Sequence, residues 1–344
     1  MFYRDSDGRI NHIFRDVPTN KFYYDQWSSK TGALAAGGDP ATMVTGLIVP
    51  VPQHGHGRRI TIHGGAPGPR RSGPQDAPTI LLLHGFPSSS RMWQPLLDRL
   101  AGRFRLVAPD YPGFGHSDQP SHMEFAYTFD HLAAVVGHFT QALGLTRYTL
   151  VVQDYGGPVG FRLAIAHPER LGALIVQNAV AHEDGLGPKW KTRREFWADL
   201  EAHVAALREN FFSLAATRQR HVGTSPNAEN YDPDLWTDEF AFLSRPGQQD
   251  IQTDLFYDYR TNVASYSAWQ DWLRKRQPPL QVVWGRCDPS FQVEEAEAYR
   301  RDVPDAEVHV LDAGHFALDE QPDIIADLTS RFLQHRQAHT DGDV

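Results

Sequence analysis

The chain has 344 residues, 41% of them hydrophobic, with 33 basic against 42 acidic side chains and a formal charge of −9. That length and apolar content support a sizeable core, in one large α/β domain with an insertion or in two domains, and the acidic balance argues against a nucleic-acid backbone or an anionic membrane as partner. The sequence holds no apolar run of about 18 residues, no basic-then-apolar start, and a single cysteine, Cys287, so neither a membrane span, a signal peptide nor an internal disulfide is expected, and a cytoplasmic protein is the expectation.

Residues 1–77 read poorly. Thr42 to Val51 and Arg59 to His63 suit short strands, a hairpin leading into a sheet, although Gly37, Gly38, Pro50 and Pro52 interrupt the region. Gly64 to Pro78 is rich in Gly, Pro and Arg and reads as a flexible surface segment. His54, His56 and His63 lack the cysteine or spaced carboxylate that would complete a metal-ligand set, so no metal site is read there.

Order begins with Thr79 to Leu83, an apolar run of buried-strand type closed by His84-Gly85-Phe86-Pro87. Its end should lie at the rim of a sheet, where ligands of open α/β folds bind. Gly85 allows a close backbone approach, Pro87 constrains the turn, and the Phe86 N–H is a candidate oxyanion donor. His84, at the strand end, is read as a structural hydrogen-bonding residue. Arg105 to Ala108 is the next strand, followed by turn formers from Pro109 to Asp118. Ser117 lacks the glycine two places on, and the strand leading directly in, that a nucleophile would have. Phe129 to Leu143 has helical spacing, with Leu132, Val135, Val136, Phe139 and Leu143 on one face.

The organising stretch is Val151 to Pro158. An apolar strand from Tyr148 to Val152 runs into Gly156 and Gly157 and then into an apolar helix, Val159 to Ala166. Such a strand, sharp turn and helix lift one side chain above the sheet edge, and here it is Asp154. A carboxylate attacking an ester would give only an anhydride, so an aspartate in this place suits displacement at saturated carbon, through an alkyl ester that water must then cleave. Cleavage requires a general base and donors for an oxyanion.

Leu171 to Val176 is a further buried strand. From residue 181 to 278 the strand and helix alternation stops: Trp197, Leu200, Val204, Leu207 and Phe211 follow helical spacing, as does Asp250 to Leu273. This aromatic-rich insertion is expected to form a lid over Asp154 and an apolar pocket for a small uncharged substrate. Leu280 to Trp284 resumes the sheet and is followed by Asp288, placed to orient an imidazole; Cys287 beside it reads as inert. A helix from Glu294 to Asp302 and a strand from Ala306 to Leu311 lead to His315, again at a strand terminus. The last helix, from Pro322 to about Gln334, should pack Ile324, Ile325, Leu328 and Phe332 inward, ahead of a disordered tail at 337–344.

The order Asp154, Asp288, His315 is nucleophile, acid, histidine, each just after a strand. With HGFP at His84 to Pro87, PDYPGFGHSD at Pro109 to Asp118, VVQDYGGP at Val151 to Pro158, WGRCDP at Trp284 to Pro289 and GHFALDEQP at Gly314 to Pro322, the chain resembles the α/β-hydrolases, in their epoxide hydrolase and haloalkane dehalogenase branch. The resemblance implies a mostly parallel sheet flanked by helices, a core at 78–180 and 279–336, and a helical lid at 181–278 inserted after the sixth strand. It implies no metal and no organic cofactor.

Two positions bear on substrate. Dehalogenases of this branch hold halide with a tryptophan after the nucleophile and an asparagine or glutamate after the His-Gly pair, where this chain has Tyr155 and Phe86. Epoxide hydrolases use lid tyrosines to protonate the ring oxygen, one of them in a Tyr-Arg pair that Tyr259-Arg260 resembles; Tyr231, Tyr257 and Tyr266 are candidates for the second. The expectation is an epoxide-opening hydrolase acting on a small apolar electrophile with water. Asp154, Tyr259, His315 and Asp288 would be its catalytic residues, with the amides of Phe86 and Tyr155 as oxyanion donors. A haloalkane dehalogenase, and a ligand-binding protein on the same scaffold, are the alternatives.

Overall fold

The computed structural model describes residues 77–188, 190–223 and 231–341, preceded by the strands β1 (Phe2–Arg4), β2 (Ile10–Asp16), β3 (Lys21–Gln26), β4 (Met43–Pro50) and β5 (Gly57–Gly64). The expected hairpin is present: β4 and β5 pair antiparallel from Met43↔Gly64 to Pro50↔Gly57. Strands β1 to β3 form a separate antiparallel sheet. His54, His56 and most of the Gly64 to Pro78 segment lie outside the described residues.

Apolar runs at β6 (Thr79–Leu83), β7 (Arg105–Pro109), β8 (Tyr148–Gln153), β9 (Leu171–Gln177) and β10 (Leu280–Gly285), with the alternating, half-buried edge strand β11 (Glu307–Leu311), make six parallel strands, which the hairpin extends through antiparallel pairing of β5 with β7. The order is β11-β10-β9-β8-β6-β7-β5-β4. The chain steps from β6 outward to β7 and then crosses back to β8 on the other side of β6. The crevice at that reversal, beyond the carboxyl ends of β6 and β8, is where open α/β sheets bind ligands.

Alternation within the strands produces two cores. Leu81 and Leu83 of β6 join Val152, Val176, Phe129 and Phe139 on one face, while Ile80 and Leu82 join Trp93, Leu96, Phe316 and Ile325 on the other. Among the described residues the flanking helices are α1 (Gln94–Leu100), α2 (Phe129–Ala142), α3 (Gly156–Ala166), five helices between β9 and β10, α9 (Glu294–Asp302), α10 (Ala317–Glu320) and α11 (Pro322–Asp341). Those five are α4 (Trp190–Ala198), α5 (Leu200–Phe212), α6 (Leu214–Val222), α7 (Asp234–Leu243) and α8 (Gln248–Arg276). The helical spacing from Trp197 to Phe211 is therefore not one helix. Asp199 stands between α4 and α5 and accepts the Ala202 N–H at 3.1 Å, so a cap ends one helix and starts the next.

Two details of the last helix differ from the sequence expectation. It continues to Asp341, so of the expected tail 337–341 is helical, and only 342–344 lie outside the described residues. Ile324 is 48% exposed while Ile325 and Phe332 are buried, because the inward stripe of this turn runs through Ile325. Among the described residues no helix is long and apolar enough to cross a membrane.

Candidate active site

Strand β8 ends at Gln153, and the next residue, Asp154, turns the chain with φ of +47°. A non-glycine side chain in the left-handed region costs roughly 1–2 kcal/mol, so the surroundings must hold it there. They do so by close approach. A Cβ on Gly156 would stand 2.0 Å from the Leu83 carbonyl oxygen, and one on Gly85 would stand 2.5 Å from Asp154 Cβ. These two glycines let the ends of β6 and β8 meet. In consequence the Phe86 N–H donates to Asp154 Oδ1 at 2.8 Å, with Asp154 only 8% exposed.

The other carboxylate oxygen, Oδ2, lies 3.7 Å from Nε2 of His315. On the far side of the ring, Nδ1 is 2.7 Å from Asp288 Oδ2, which makes Nδ1–H the donor and leaves Nε2 with its lone pair. Asp288 is fixed on both oxygens: Asn178 Nδ2 donates to Oδ2 at 2.7 Å, and the backbone N–H groups of Ser290 and Phe291 donate to Oδ1 at 2.6 and 3.1 Å. Burial opposes a charge on His315, but Asp288 and then Asp154 outweigh it and raise its pKa above 6.5.

A second group of side chains reaches the site from the helices between β9 and β10. Tyr259 on α8 contacts Tyr155, Phe129 and Trp190, with ring centroids at 5.9, 5.6 and 5.0 Å. Arg162 on α3 holds this part of α8 by donating to Asn262 Oδ1 at 2.7 Å and Thr261 Oγ1 at 3.2 Å. The hydroxyls of Tyr155, Tyr259 and Tyr266 are buried without a hydrogen-bond partner. Tyr259 and Tyr266 lie close enough for their hydroxyls to interact with each other, though not with the geometry of a full hydrogen bond. Burial first, and for Tyr155 and Tyr259 the Asp154 carboxylate as well, pushes these phenols above their usual range, so they keep their protons at neutral pH.

Asp154, Asp288, His315, Phe86, Tyr155 and Tyr259 are thus brought to one place. Ser117 is not part of it: its hydroxyl donates to the Asp110 carbonyl at 2.7 Å in a buried turn. His84 accepts the Tyr111 N–H at Nε2 and donates from Nδ1 to the Gly85 carbonyl, at 3.3 and 2.9 Å, a buried structural histidine whose pKa burial lowers. Cys287 is exposed. Of the candidates for a second tyrosine, Tyr266 stands beside Tyr259, whereas Tyr257 stacks under the exposed Arg260 guanidinium at 3.7 Å. Among the described residues no cluster of His, Cys, Asp and Glu is arranged to hold a metal ion.

Sequence reasoning missed four neighbours. Gln153 donates from Nε2 to His315 Nε2 at 3.0 Å. Asn178, with φ of +41°, carries Asp288 and also accepts the Gly285 N–H at 2.9 Å; an asparagine directly past an apolar strand was the available signal. Arg193 and Arg220 lie among the aromatic rings, Arg193 4.7 Å from the Phe256 ring and Arg220 4.6 Å from the Phe86 ring. Basic residues inside an aromatic-rich stretch were the only hint of them.

A family model described as the alpha/beta hydrolase fold matches residues 78–322. The chain is 40% identical over 272 residues to an uncharacterized hydrolase of Saccharomyces cerevisiae, covering 77% of this chain and 93% of that one. Over 136 residues it is 39% identical to haloalkane dehalogenase 2 of Mycobacterium tuberculosis, covering 39% of this chain and 46% of the relative. Epoxide hydrolase 1 of Caenorhabditis elegans is 24% identical over 280 residues, 78% of this chain and 67% of its own length. The crystal structure of a haloalkane dehalogenase from Bradyrhizobium elkani superposes with a TM-score of 0.67 at 19% identity, covering 87% of this chain and 99% of that one. The family model and the yeast relative make the chain a member of the α/β-hydrolase fold family and a hydrolase, with partial likeness to haloalkane dehalogenases and epoxide hydrolases.

Proposed function

We propose that this hydrolase opens epoxides to diols through a covalent ester on Asp154. The observation that carries the reading is the split environment of that carboxylate: Oδ1 is held by the Phe86 N–H at 2.8 Å, while Oδ2 faces His315 Nε2 at 3.7 Å. Oδ2 is the attacking atom. Its bond to an epoxide carbon forms as the carbon–oxygen ring bond breaks, and the Tyr259 hydroxyl, with Tyr266 beside it, gives its proton to the departing oxygen.

Alkylation removes the charge on Asp154, one of the two carboxylates that raise the pKa of His315, so the neutral imidazole is favoured when the base is needed. The imidazole then takes a proton from water, and the hydroxide oxygen adds to Asp154 Cγ. Negative charge collects on Oδ1, where the Phe86 N–H already points and where the Tyr155 amide would be the second donor. Collapse breaks the bond between Cγ and Oδ2 and the imidazolium protonates the departing alkoxide, so the diol leaves with the aspartate's old oxygen; the water oxygen stays on Asp154, and its remaining proton restores the Tyr259 phenol. Asp288 keeps the imidazole in the required tautomer. The helices between β9 and β10 act as a lid that excludes bulk water from these steps.

Release of halide from haloalkanes is the second reading, favoured by the identity to a dehalogenase over 136 residues. Phe86 and Tyr155, at the two positions where that chemistry needs N–H donors, weigh against it. The reaction products decide. Diol formation from a panel of simple epoxides, lost in Asp154→Ala and reduced about 100-fold in Tyr259→Phe, supports the proposal; halide release without diol formation replaces it with the second reading.

A further inference from the structure

Arg193 on α4 and Arg220 on α6 stand together at the edge of this site. Both line a cavity of about 140 Å³ whose other walls include Trp190, Phe211, Pro289 and Ser290. Arg220 is only 9% exposed. One of its terminal nitrogens donates to the Phe211 carbonyl at 3.0 Å, and the other, Nη1, is buried with no partner at all. Its guanidinium lies 4.6 Å over the ring of Phe86, the residue whose N–H holds Asp154. Arg193 is half-buried against the rings of Trp190, Phe211 and Phe256, at 4.4, 5.0 and 4.7 Å.

Aromatic faces accept a cation's charge but not its N–H donors, and two guanidinium groups side by side repel one another. The nearest anions are occupied elsewhere. Asp154 receives Phe86, and Glu239, the other carboxylate that Arg220 senses, is bonded to His221 at 2.9 Å. Among the described residues neither arginine has a carboxylate in salt-bridge range. Burial and the neighbouring Arg193 pull Arg220 down to about 10, which still leaves it charged at neutral pH. A charged guanidinium with a buried, unpartnered donor, on a residue that lines a cavity, is costly without a ligand and strongly binding with one.

We infer that Arg193 and Arg220 bind a carboxylate on the substrate, so that the preferred substrates are short epoxy acids, not neutral epoxides. The inference rests on the proposed function and replaces the apolar, uncharged substrate expected from the aromatic composition. It also supplies what an anionic substrate needs beside Asp154, since the two cations offset the repulsion between the two carboxylates. Ser290 lines the same cavity and donates its N–H to Asp288, so the anion end of the substrate lies against the loop that steadies His315.

The test compares oxirane-2-carboxylate with oxirane-2-carboxamide, two probes of equal size that differ in charge. The wild-type enzyme should favour the carboxylate by about 10-fold or more in kcat/KM, and Arg220→Gln and Arg193→Gln should each bring that ratio toward unity. Arg193→Gln, at the half-exposed position, covers the case in which loss of Arg220 impairs folding. Diol formation from the carboxamide with no preference for the carboxylate overturns the inference and leaves the proposed function standing. Where neither probe is opened, calorimetry with 2,3-dihydroxypropanoate decides: saturable binding lost in Arg220→Gln upholds the anion site, and absence of binding to the wild type ends it.

Discussion

His315 stands between two carboxylates, 2.7 Å from Asp288 on one side and 3.7 Å from Asp154 on the other, and only the nearer pair is within hydrogen-bond distance. At the longer spacing Asp154 Oδ2 is not hydrogen-bonded to the ring, whereas the spacing on the Asp288 side fixes a tautomer. On the proposed mechanism this asymmetry separates the orienting carboxylate from the attacking one.

Because a base must be neutral, hydrolysis of the ester should slow as pH drops through the pKa of His315, which Asp288 still raises once Asp154 has been alkylated, so kcat should carry an acid limb. Gln153→Glu would add a third carboxylate at the atom where the Gln153 amide now stands 3.0 Å from Nε2. The acid limb of the kcat profile should then move upward by about one unit or more. An unmoved limb would mean that another group is the base.

The elbow carries measurable strain. Asp154→Gly and Asp154→Ala should both be inactive, but at φ of +47° the glycine variant should unfold at a free energy about 1 kcal/mol higher than the alanine variant. Chemical denaturation of the two proteins makes the comparison, and equal midpoints would mean the turn is not strained.

Asn178 should matter for both stability and rate. Its removal in Asn178→Ala takes a donor from Asp288 and leaves the buried Gly285 N–H, now 2.9 Å from Asn178 Oδ1, without its acceptor. The expected cost is about 2–3 kcal/mol in unfolding free energy, with kcat falling more than KM changes. An alanine variant of wild-type stability would show that Asp288 is held by its backbone donors alone.

His221 joins the inserted helices to the core: on α6, it lies 2.9 Å from both Glu239 of α7 and Asp319 of α10. Burial opposes its charge, but the two carboxylates overcome this and raise its pKa from 6.5 to about 9. The stabilisation is complete below pH 6.5 and is lost as pH rises through about 9, on the order of 3 kcal/mol, part of it offset by burial of Asp319, whose own pKa is raised. Urea midpoints should fall between pH 7 and 10 in the wild type and change much less in His221→Gln. A flat wild-type profile would contradict the bridge.

The sheet was legible because each parallel strand except the edge strand β11 is an apolar run with a turn former after it, and the position of Asp154 because two glycines follow it. Asp288 and His315 could be named from their places just past strand ends. What could not be read depends on distant residues meeting. Gln153 reads only as the last residue of a strand until His315 is beside it, and Arg220 reads as a surface charge on a helix until its guanidinium is found over Phe86. The break at Asp199 was hidden because apolar spacing continues across it, and Ile324 was placed inward because the stripe of α11 shifts by a single residue.

The central claim is a carbon–oxygen bond at Asp154, and mass spectrometry of His315→Gln protein incubated with an epoxide measures it most directly. Without the base the ester should accumulate, adding the full mass of the epoxide to the peptide that contains Asp154. An unmodified Asp154 peptide from protein that still consumes the epoxide would contradict the account.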